Sequence, residues 1–206
     1  AGRGGYNAQR GTGNAHVNPN RDRKHGRIYR VAYEGNTNKR MNLAKAGSAA
    51  LVSALDSDNQ FWRLTAQRLL VDGQRKDAAP ALRKRTKGGG VGAIHALWAL
   101  EGLGELDADT HRACLISANP SLRRNAVRAL GADDASTQLL CDSATLADKD
   151  LQVRLVAFTK LAALPESDSH KKTASLLMEQ PENAKDEWLR LALQAIGGEE
   201  MNVVGY

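Results

Sequence analysis

Aromatic side chains are scarce in this sequence: Phe, Trp and Tyr together make up 4% of its 206 residues. The apolar fraction is 42%, so small aliphatic residues, above all Ala and Leu, must supply most of the core. Ala and Leu are strong helix formers, whereas sheets favour β-branched and aromatic residues. The composition therefore favours an all-α fold of closely spaced helices over a sheet-based core.

Long apolar runs are also missing. No stretch reaches the 18 or so apolar residues of a membrane span, and the start lacks the apolar segment of a signal peptide. The two cysteines, Cys114 and Cys141, form no CxxC or CxxCH motif, so a zinc knuckle and a c-type haem are not encoded here. Both cysteines lie in apolar helical stretches, and we interpret them as small core residues. We expect a chain that is cytosolic or cut from something longer.

Charge is distributed unevenly along the chain. Residues 1–50 contain ten Lys or Arg and two Asp or Glu, a net of +8, whereas residues 51–206 contain nineteen and twenty-one, a net of −2. Residues 1–36 are rich in Gly, Asn and Arg, and they predict an irregular basic arm. Such an arm can attract nucleic acid, anionic lipid or an acidic protein surface. Its candidate partner contacts are Arg21, Arg23, Lys24 and Arg27.

One short strand is predicted within this arm. Residues 27–33, with the sequence RIYRVAY, alternate long or β-branched side chains over seven positions. A lone strand is unstable because its backbone groups need a partner. We therefore expect this strand to pair with something outside the chain or to lie loosely on the helical part.

The same region carries a resemblance to a known family. Asn18-Pro19, Asp22-Arg23 and residues 26–31 resemble the closing strand of the sugar-dehydrogenase-like β-propeller in a planctomycete family of large exported proteins, usually described as membrane-bound dehydrogenases. In that family HEAT-like repeats and a cytochrome c domain with a CxxCH motif follow the propeller. The resemblance implies adjacent propeller and cytochrome c-type domains as partners, and a periplasmic or exported location. This chain has neither the propeller body nor the haem motif, so no catalytic residue or cofactor is implied for it.

The frame Arg-x-x-Ala-x-x-x-Leu recurs along the rest of the sequence. Complete copies begin at Arg63, Arg123 and Arg154, whereas Ala93 and Leu189 stand at the arginine position of two incomplete copies. The marker alanines are Ala66, Ala96, Ala126, Ala157 and Ala192. A repeat of about 30 residues is typical of a stacked solenoid, in which each unit covers the apolar surface of its neighbours.

Helical periodicity predicts an α-solenoid of about five hairpins over residues 37–198. The first helix is predicted to begin at a cap formed by residues 36–38 and to run through Leu55. The second helix of each pair has apolar residues on two sides, which predicts that it is covered from both sides. Residues 199–206 look like the start of a truncated further helix. Overpacking the small position Ala126 with Leu or Phe is expected to cost about 1–3 kcal/mol.

The hairpins resemble HEAT repeats in their turns. An acid or amide (Asp58, Asn119, Asp150) precedes an arginine by four or five residues. In HEAT repeats such arginines commonly form a ladder along the stack. The resemblance therefore implies a structural ladder of Arg63, Arg123 and Arg154, rather than a set of ligand contacts.

A second basic cluster lies inside the repeats, at the end of a predicted first helix. Arg83, Lys84, Arg85 and Lys87 suit the negative end of a helix dipole, and they are further candidates for contact with phosphate or an acidic partner. The glycine-rich residues 88–92 follow, as an interhelix turn or an anion site at a helix N-terminus. His95 is interpreted as a packed histidine.

The sequence contains no GxSxG, Walker loop or HExxH motif, and no two histidines are spaced as helical metal ligands. We predict a non-enzymatic scaffold or protein–protein interaction module without its own cofactor or metal. Two alternatives stay open. One is a nucleic-acid-binding HEAT-like repeat protein, although a net of −2 in the repeats argues against a phosphate-tracking groove. The other is an enzyme of the bilin lyase kind, which also uses such repeats.

Overall fold

The structure is a computed structural model that describes residues 34–35, 41–164 and 168–197. The chain divides into two compact units, residues 1–37 and 38–206. The strand predicted at 27–33 and the helix start predicted at 199–206 lie outside the described residues, as do the arm candidates Arg21, Arg23, Lys24 and Arg27. The helices described next all belong to the second unit.

Every regular element in the described residues of this unit is helical, which confirms the predicted all-α class there. The α-helices are α1 Ser48–Ala54, α2 Gln60–Asp72, α3 Ala79–Thr86, α4 Gly90–Gly102, α5 Ala108–Leu115, α6 Pro120–Arg128, α7 Asp134–Asp142, α8 Leu151–Ala162, α9 Asp168–Met178, α10 Pro181–Lys185 and α11 Glu187–Gly197. Two 3₁₀-helices, Lys76–Ala78 and Ala144–Ala147, precede α3 and α8.

The helices pack mostly against neighbours in the sequence. Within the pairs, α1 contacts α2, α3 contacts α4, α5 contacts α6, α7 contacts α8, and α9 contacts α11. Between the pairs, α2 contacts α4, α4 contacts α6, α6 contacts α8, and α8 contacts α11. The second helices of successive pairs therefore form an unbroken series of contacts, and each one packs on its own partner as well.

The marker alanines lie in the middle of these contacts. Ala66, Ala96, Ala126 and Ala157 are all 0% exposed. Two apolar clusters share α4: Ala96 and Leu100 belong to the cluster of the first two pairs, whereas Ala93 and Leu97 belong to the larger cluster that continues to α11. A helix buried on two sides is what the two apolar stripes predicted for this position.

The start of the first helix was predicted wrongly. Residues 41–47 are not helical, and α1 begins only at Ser48 with Gly47 as its N-cap in an extended conformation. The side chain of Asn42 accepts the N–H of Ala44 at 3.1 Å, and the N–H of Ala46 bonds the carbonyl of Leu43. Local bonds of this kind compete with helix formation, which explains the late start.

A short helix lies between α9 and α11. Residues 181–185 form α10, with Pro181 in its first turn. Proline is tolerated there because its missing N–H would have no partner inside the helix. Asn183, on this helix, is 0% exposed, so the segment is a buried part of the fold.

Candidate functional site

Three of the second helices begin at the same kind of capped turn. Asn59, Asn119 and Asp150 are the N-caps of α2, α6 and α8, and a side-chain oxygen of each accepts the backbone N–H two residues later. Two residues before each N-cap, a side-chain oxygen accepts the N–H of the N-cap residue itself; these residues are Ser57, Ser117 and Asp148. The bonds satisfy donors that have no partner inside the helix, so each turn fixes the path into its helix.

The arginine four residues after each N-cap folds back over this turn. Nη1 of Arg63 donates to the carbonyl oxygens six and five residues earlier, at 2.6 and 3.0 Å. Arg123 makes the same two bonds at 2.7 and 3.2 Å. Arg154 donates through Nε to the carbonyl six residues earlier. All three residues of the predicted ladder thus bond the carbonyl six residues earlier, and Arg63 and Arg123 also bond the carbonyl five residues earlier.

Each arginine also reaches the next hairpin. Arg123 donates from Nε and Nη2 to the two carboxylate oxygens of Asp148, at 2.6 and 2.7 Å. Nη1 of Arg154 donates to Oδ1 of Asn183, on α10, at 2.9 Å. We call an arginine together with its acceptors a rung. These two rungs tie the α6 turn to the α8 turn, and the α8 turn to α10.

The rung of Arg63 ends on a histidine. Its Nε donates to Nε2 of His95, on α4, at 3.4 Å, and Nδ1 of His95 lies 2.7 Å from Oε1 of Gln67. An amide oxygen only accepts, so Nδ1 carries the proton and Nε2 accepts from the arginine. Burial, and then the charge of Arg63, lower the pKa of His95. His95 therefore stands neutral at pH 7, as a half-buried polar link.

The Arg123–Asp148 pair is the most buried of the rungs, with side chains 8% and 7% exposed. Burial alone would raise the pKa of Asp148, but the hydrogen bonds from Arg123 and from the N–H of Asp150 hold it below its ordinary value. The bonds to Asp148 in turn raise the pKa of Arg123, against the opposing effect of burial. Both groups are therefore ionised at neutral pH.

The basic cluster 83–87 is divided between paired and exposed side chains. Nε of Arg83 lies 2.6 Å from Oδ2 of Asp107, and its Nη2 donates to the carbonyl of Glu105 at 2.9 Å. Hydrogen bonds from the backbone N–H and side chain of Thr110 lower the pKa of Asp107, and Arg83 adds to this. The guanidinium of Arg83 is thus bonded to the turn before α5.

The other members of the cluster differ among themselves. Arg85 pairs with Asp56, at the end of α1, with its Nε 2.7 Å from Oδ2, and its Nη1 donates to the carbonyl of Gly89 at 2.9 Å. Lys84 and Lys87 are exposed. Of the four candidate partner contacts in this cluster, these two lysines are the exposed ones.

The last second helix has a register that the alanine spacing missed. Asp186 immediately precedes α11, and its carboxylate accepts the N–H of Leu189 at 3.0 Å. Arg190 therefore stands four residues after the capping residue, as the other three arginines do, whereas the sequence frame placed Leu189 there. Arg190 donates to Gln194 at 3.2 Å. Cap spacing is the signal that would have located it.

The tryptophans are not equivalent. Trp188 is 68% exposed and is not a core residue. Trp98 is partly buried, and its Nε1 donates to Oδ1 of Asn125 at 2.9 Å. Phe61 is 62% exposed and packs edge-to-face on Trp62, with ring centroids 4.9 Å apart. Exposed aromatic side chains such as Phe61 and Trp188 are the kind enriched at interface hot spots.

The two cysteines differ in exposure. Cys114 is buried, and burial raises the pKa of its thiol. Cys141 is exposed, which corrects its assignment to the core. Within residues 41–164 and 168–197, no three His, Cys, Asp or Glu side chains are grouped to hold a metal ion. The same described helices include none with the length and hydropathy needed to cross a bilayer.

The concave sites of the described residues include a groove and a cavity between helices. A groove of about 400 Å³ separates α9 from α11 and is lined by residues such as Ala174, Met178 and Leu193. A cavity of about 450 Å³ lies between the end of α3 and the turn before α6, lined by residues that include Gly88, Cys114 and Ser117. Both volumes fall within the range of small-molecule sites.

No protein-family model matches this chain, and no characterised protein is significantly similar to it in sequence.

The rung that ends on α10 gives a direct test of the buried amide. Asn183→Ala is expected to lower the free energy of unfolding by about 1–3 kcal/mol, because it leaves a guanidinium N–H and the carbonyl of Leu177 without their partners. Urea unfolding followed by circular dichroism measures this change. The matched control is Gln138→Ala, which removes an exposed amide bonded to Asp142 and is expected to stay within about 0.5 kcal/mol of the parent. Equal effects at both sites would contradict a structural role for Asn183.

Proposed function

We propose that residues 37–198 form a HEAT-like α-solenoid that serves as a non-catalytic scaffold or protein–protein interaction module. The observation that carries the proposal is the threefold recurrence of one turn: an N-cap, a side chain that bonds it from two residues before, and an arginine that reaches the following hairpin. Repeated ties of this kind hold successive helix pairs in a fixed relation. A rigid stack of this sort presents extended surfaces, which is how repeat proteins bind their partners.

The exposed aromatic residues support an interaction role. Phe61 and Trp188 expose most of their surface, and Leu64, one turn along from Phe61, is 49% exposed. Large apolar side chains on the surface become buried when a partner covers them, and aromatic anchors often dominate the affinity of such interfaces. We assign these side chains to partner contact, together with the exposed Lys84 and Lys87.

The proposed setting comes from the resemblance of residues 18–31 to a propeller's last strand. In that setting the chain connects a propeller dehydrogenase-like domain to a cytochrome c-type domain, outside the plasma membrane. The redox cofactors then belong to those neighbouring domains, and this chain holds none of its own. Its contribution is to set the distance and orientation between them.

The coding sequence on either side of this chain tests the setting. A propeller domain encoded before Ala1 and a CxxCH-containing domain encoded after Tyr206 are expected. The two domains, produced separately, are then expected to bind the full chain in isothermal titration calorimetry. Flanking sequences of another kind, or domains that do not bind, would contradict the proposed partners.

Binding to random duplex DNA distinguishes the proposed protein scaffold from the alternative of a nucleic-acid-binding protein. The full chain is expected to bind this DNA with a dissociation constant of about 1 μM or larger. Non-specific protein–DNA binding has dissociation constants in that range. Sub-micromolar affinity that falls steeply as salt rises, measured by fluorescence anisotropy, would favour a nucleic-acid-binding repeat protein instead.

A further inference from the structure

One junction between successive second helices lacks a rung. Arginines connect α2 to α4, the α6 turn to the α8 turn, and the α8 turn to α10. Between α4 and α6, the position four residues after the N-cap Gly89 is Ala93, which is 0% exposed. Helices α4 and α6 contact each other less extensively than the other successive second helices, and a methyl group stands where the other junctions carry a guanidinium.

The 450 Å³ cavity lies between the turns that precede α4 and α6. In the register of Arg63 and Arg123, the carbonyl oxygens that would take a guanidinium belong to the residues six and five before Ala93, which are Lys87 and Gly88. Both of these residues line the cavity. So does Ser117, which stands two residues before the next N-cap, as Asp148 does in the rung of Arg123. Three acceptor positions of a rung thus surround one cavity.

We propose that this cavity binds a guanidinium group that comes from outside the chain. A guanidinium is planar and carries five N–H donors, which can bond carbonyl and hydroxyl acceptors of the kind that these lining residues carry. A carboxylate is not required, because the rungs of Arg63 and Arg154 end on a neutral imidazole and a neutral amide. The carbonyls of Lys87 and Gly88 follow the C-terminus of α3, the negative end of its dipole.

Nearby positive charges set a limit on the affinity. The Lys87 side chain is exposed, and Arg85 donates to the carbonyl of Gly89, which also lines the cavity. Arg85 is neutralised by Asp56. The site therefore selects by shape and hydrogen-bond direction more than by net charge, and it should prefer a guanidinium to a compact ammonium group.

The inference rests on the HEAT-like register proposed above, and two substitutions test that register by themselves. Ala93→Arg is expected to fold with the parent's helix content and to unfold at no lower a urea concentration than Ala93→Met, which has a similar reach but no guanidinium. A buried guanidinium without acceptors is strongly destabilising. If Ala93→Arg unfolds while Ala93→Met stays folded, the register and the inference are both overturned.

Binding itself is tested on the full chain by nuclear magnetic resonance. L-Argininamide is expected to shift the amide signals of Gly88, Gly89 and Ser117 in a saturable way, with a dissociation constant on the order of 1 mM. The amide of Gly47, in the N-cap of α1, is the internal reference. L-Lysinamide is expected to bind at least about 10-fold more weakly, and Ala93→Arg should abolish the shifts because its own side chain occupies the site.

A pentapeptide with arginine between pairs of glycines separates the two sources of the ligand. Tighter binding of the peptide assigns the site to an arginine of a partner protein, and tighter binding of argininamide assigns it to a small guanidinium compound. Absence of saturable shifts with either probe, or equal shifts with lysinamide, overturns the proposed site. If Ala93→Arg is stably folded in that case, the repeat register and the scaffold proposal are unaffected.

Discussion

Replacing Asp148 by alanine is expected to lower the free energy of unfolding by about 3–5 kcal/mol, the usual cost of removing one member of a buried ion pair. The substitution leaves the guanidinium of Arg123 charged in a site where its side chain is only 8% exposed. It also removes the carboxylate that accepts the N–H of Asp150 at 2.8 Å. Because domains are stable by only about 5–15 kcal/mol in total, urea denaturation should show a large shift of the midpoint.

Two comparisons isolate the buried pair. Asp109→Ala removes the acid of an exposed pair, in which Asp109 and Arg112 are 97% and 58% exposed, and it is expected to cost at most about 1 kcal/mol. The double variant Arg123→Met with Asp148→Leu is expected to recover most of the loss, since apolar replacement of both partners leaves no unpaired charge. If Asp148→Ala lowers the free energy of unfolding no more than Asp109→Ala does, the buried pair contributes no more to stability than an exposed one.

The same pair predicts the response to acid. The pKa of Asp148 is lowered in the folded chain, because the bonds from Arg123 outweigh the effect of burial. The contribution of ionised Asp148 to the free energy of unfolding is therefore fully present above the unfolded pKa of about 3.9. It is lost as the pH falls through the lower pKa of the folded state. The stability difference between the parent and Asp148→Asn should be constant from about pH 5 to 8 and shrink below about pH 4. A difference that persists unchanged into acid would contradict an ionised Asp148.

Phe158→Ala is expected to cost about 3–5 kcal/mol, since it deletes an aromatic ring from a packed core. Phe158, on α8, has the largest side chain among the fully buried residues described, and it is 0% exposed. Its cluster joins α4, α6, α8, α9 and α11. The substitution should therefore loosen several hairpins together, and the unfolding transition should move to lower urea as one step.

The chain contains its own matched control, because it has two phenylalanines. Phe61 is 62% exposed and contacts Trp62 edge-to-face. Phe61→Ala is expected to cost about 1 kcal/mol or less, chiefly the loss of this aromatic contact. Similar costs at the two positions would mean that the cluster around Phe158 is not the main core.

Features fixed by near neighbours in the sequence were the predictable ones. Asn119 and Asp150 were recognised as turn residues, and they cap α6 and α8. The alanine markers located helix contacts, since a residue of that size recurs only where helices approach closely. The start of α1 was missed although its cause is also local, because the cap was predicted at residues 36–38 and the actual N-cap is Gly47.

Partners distant in the sequence could not be predicted. Asp148 lies 25 residues after Arg123, and Asn183 lies 29 residues after Arg154. Periodicity shows that the arginines are equivalent, but it does not show which of the intervening polar residues faces each one. The alanine at position 93 was noted in the sequence as an exception to the frame. Only the structure shows the cavity between the end of α3 and the turn before α6, which relates this exception to the proposed site.

The main-chain acceptors of the rungs have an evolutionary consequence. Five of the arginine bonds end on backbone carbonyls, at residues 57, 58, 117, 118 and 148. Every amino acid supplies that oxygen, so a substitution at residue 58 or 118, which contributes only its carbonyl, leaves the arginine bond intact as long as the backbone keeps its path. The sequences of such repeats can therefore diverge while the arginine–carbonyl bonds in the turns between helices are retained.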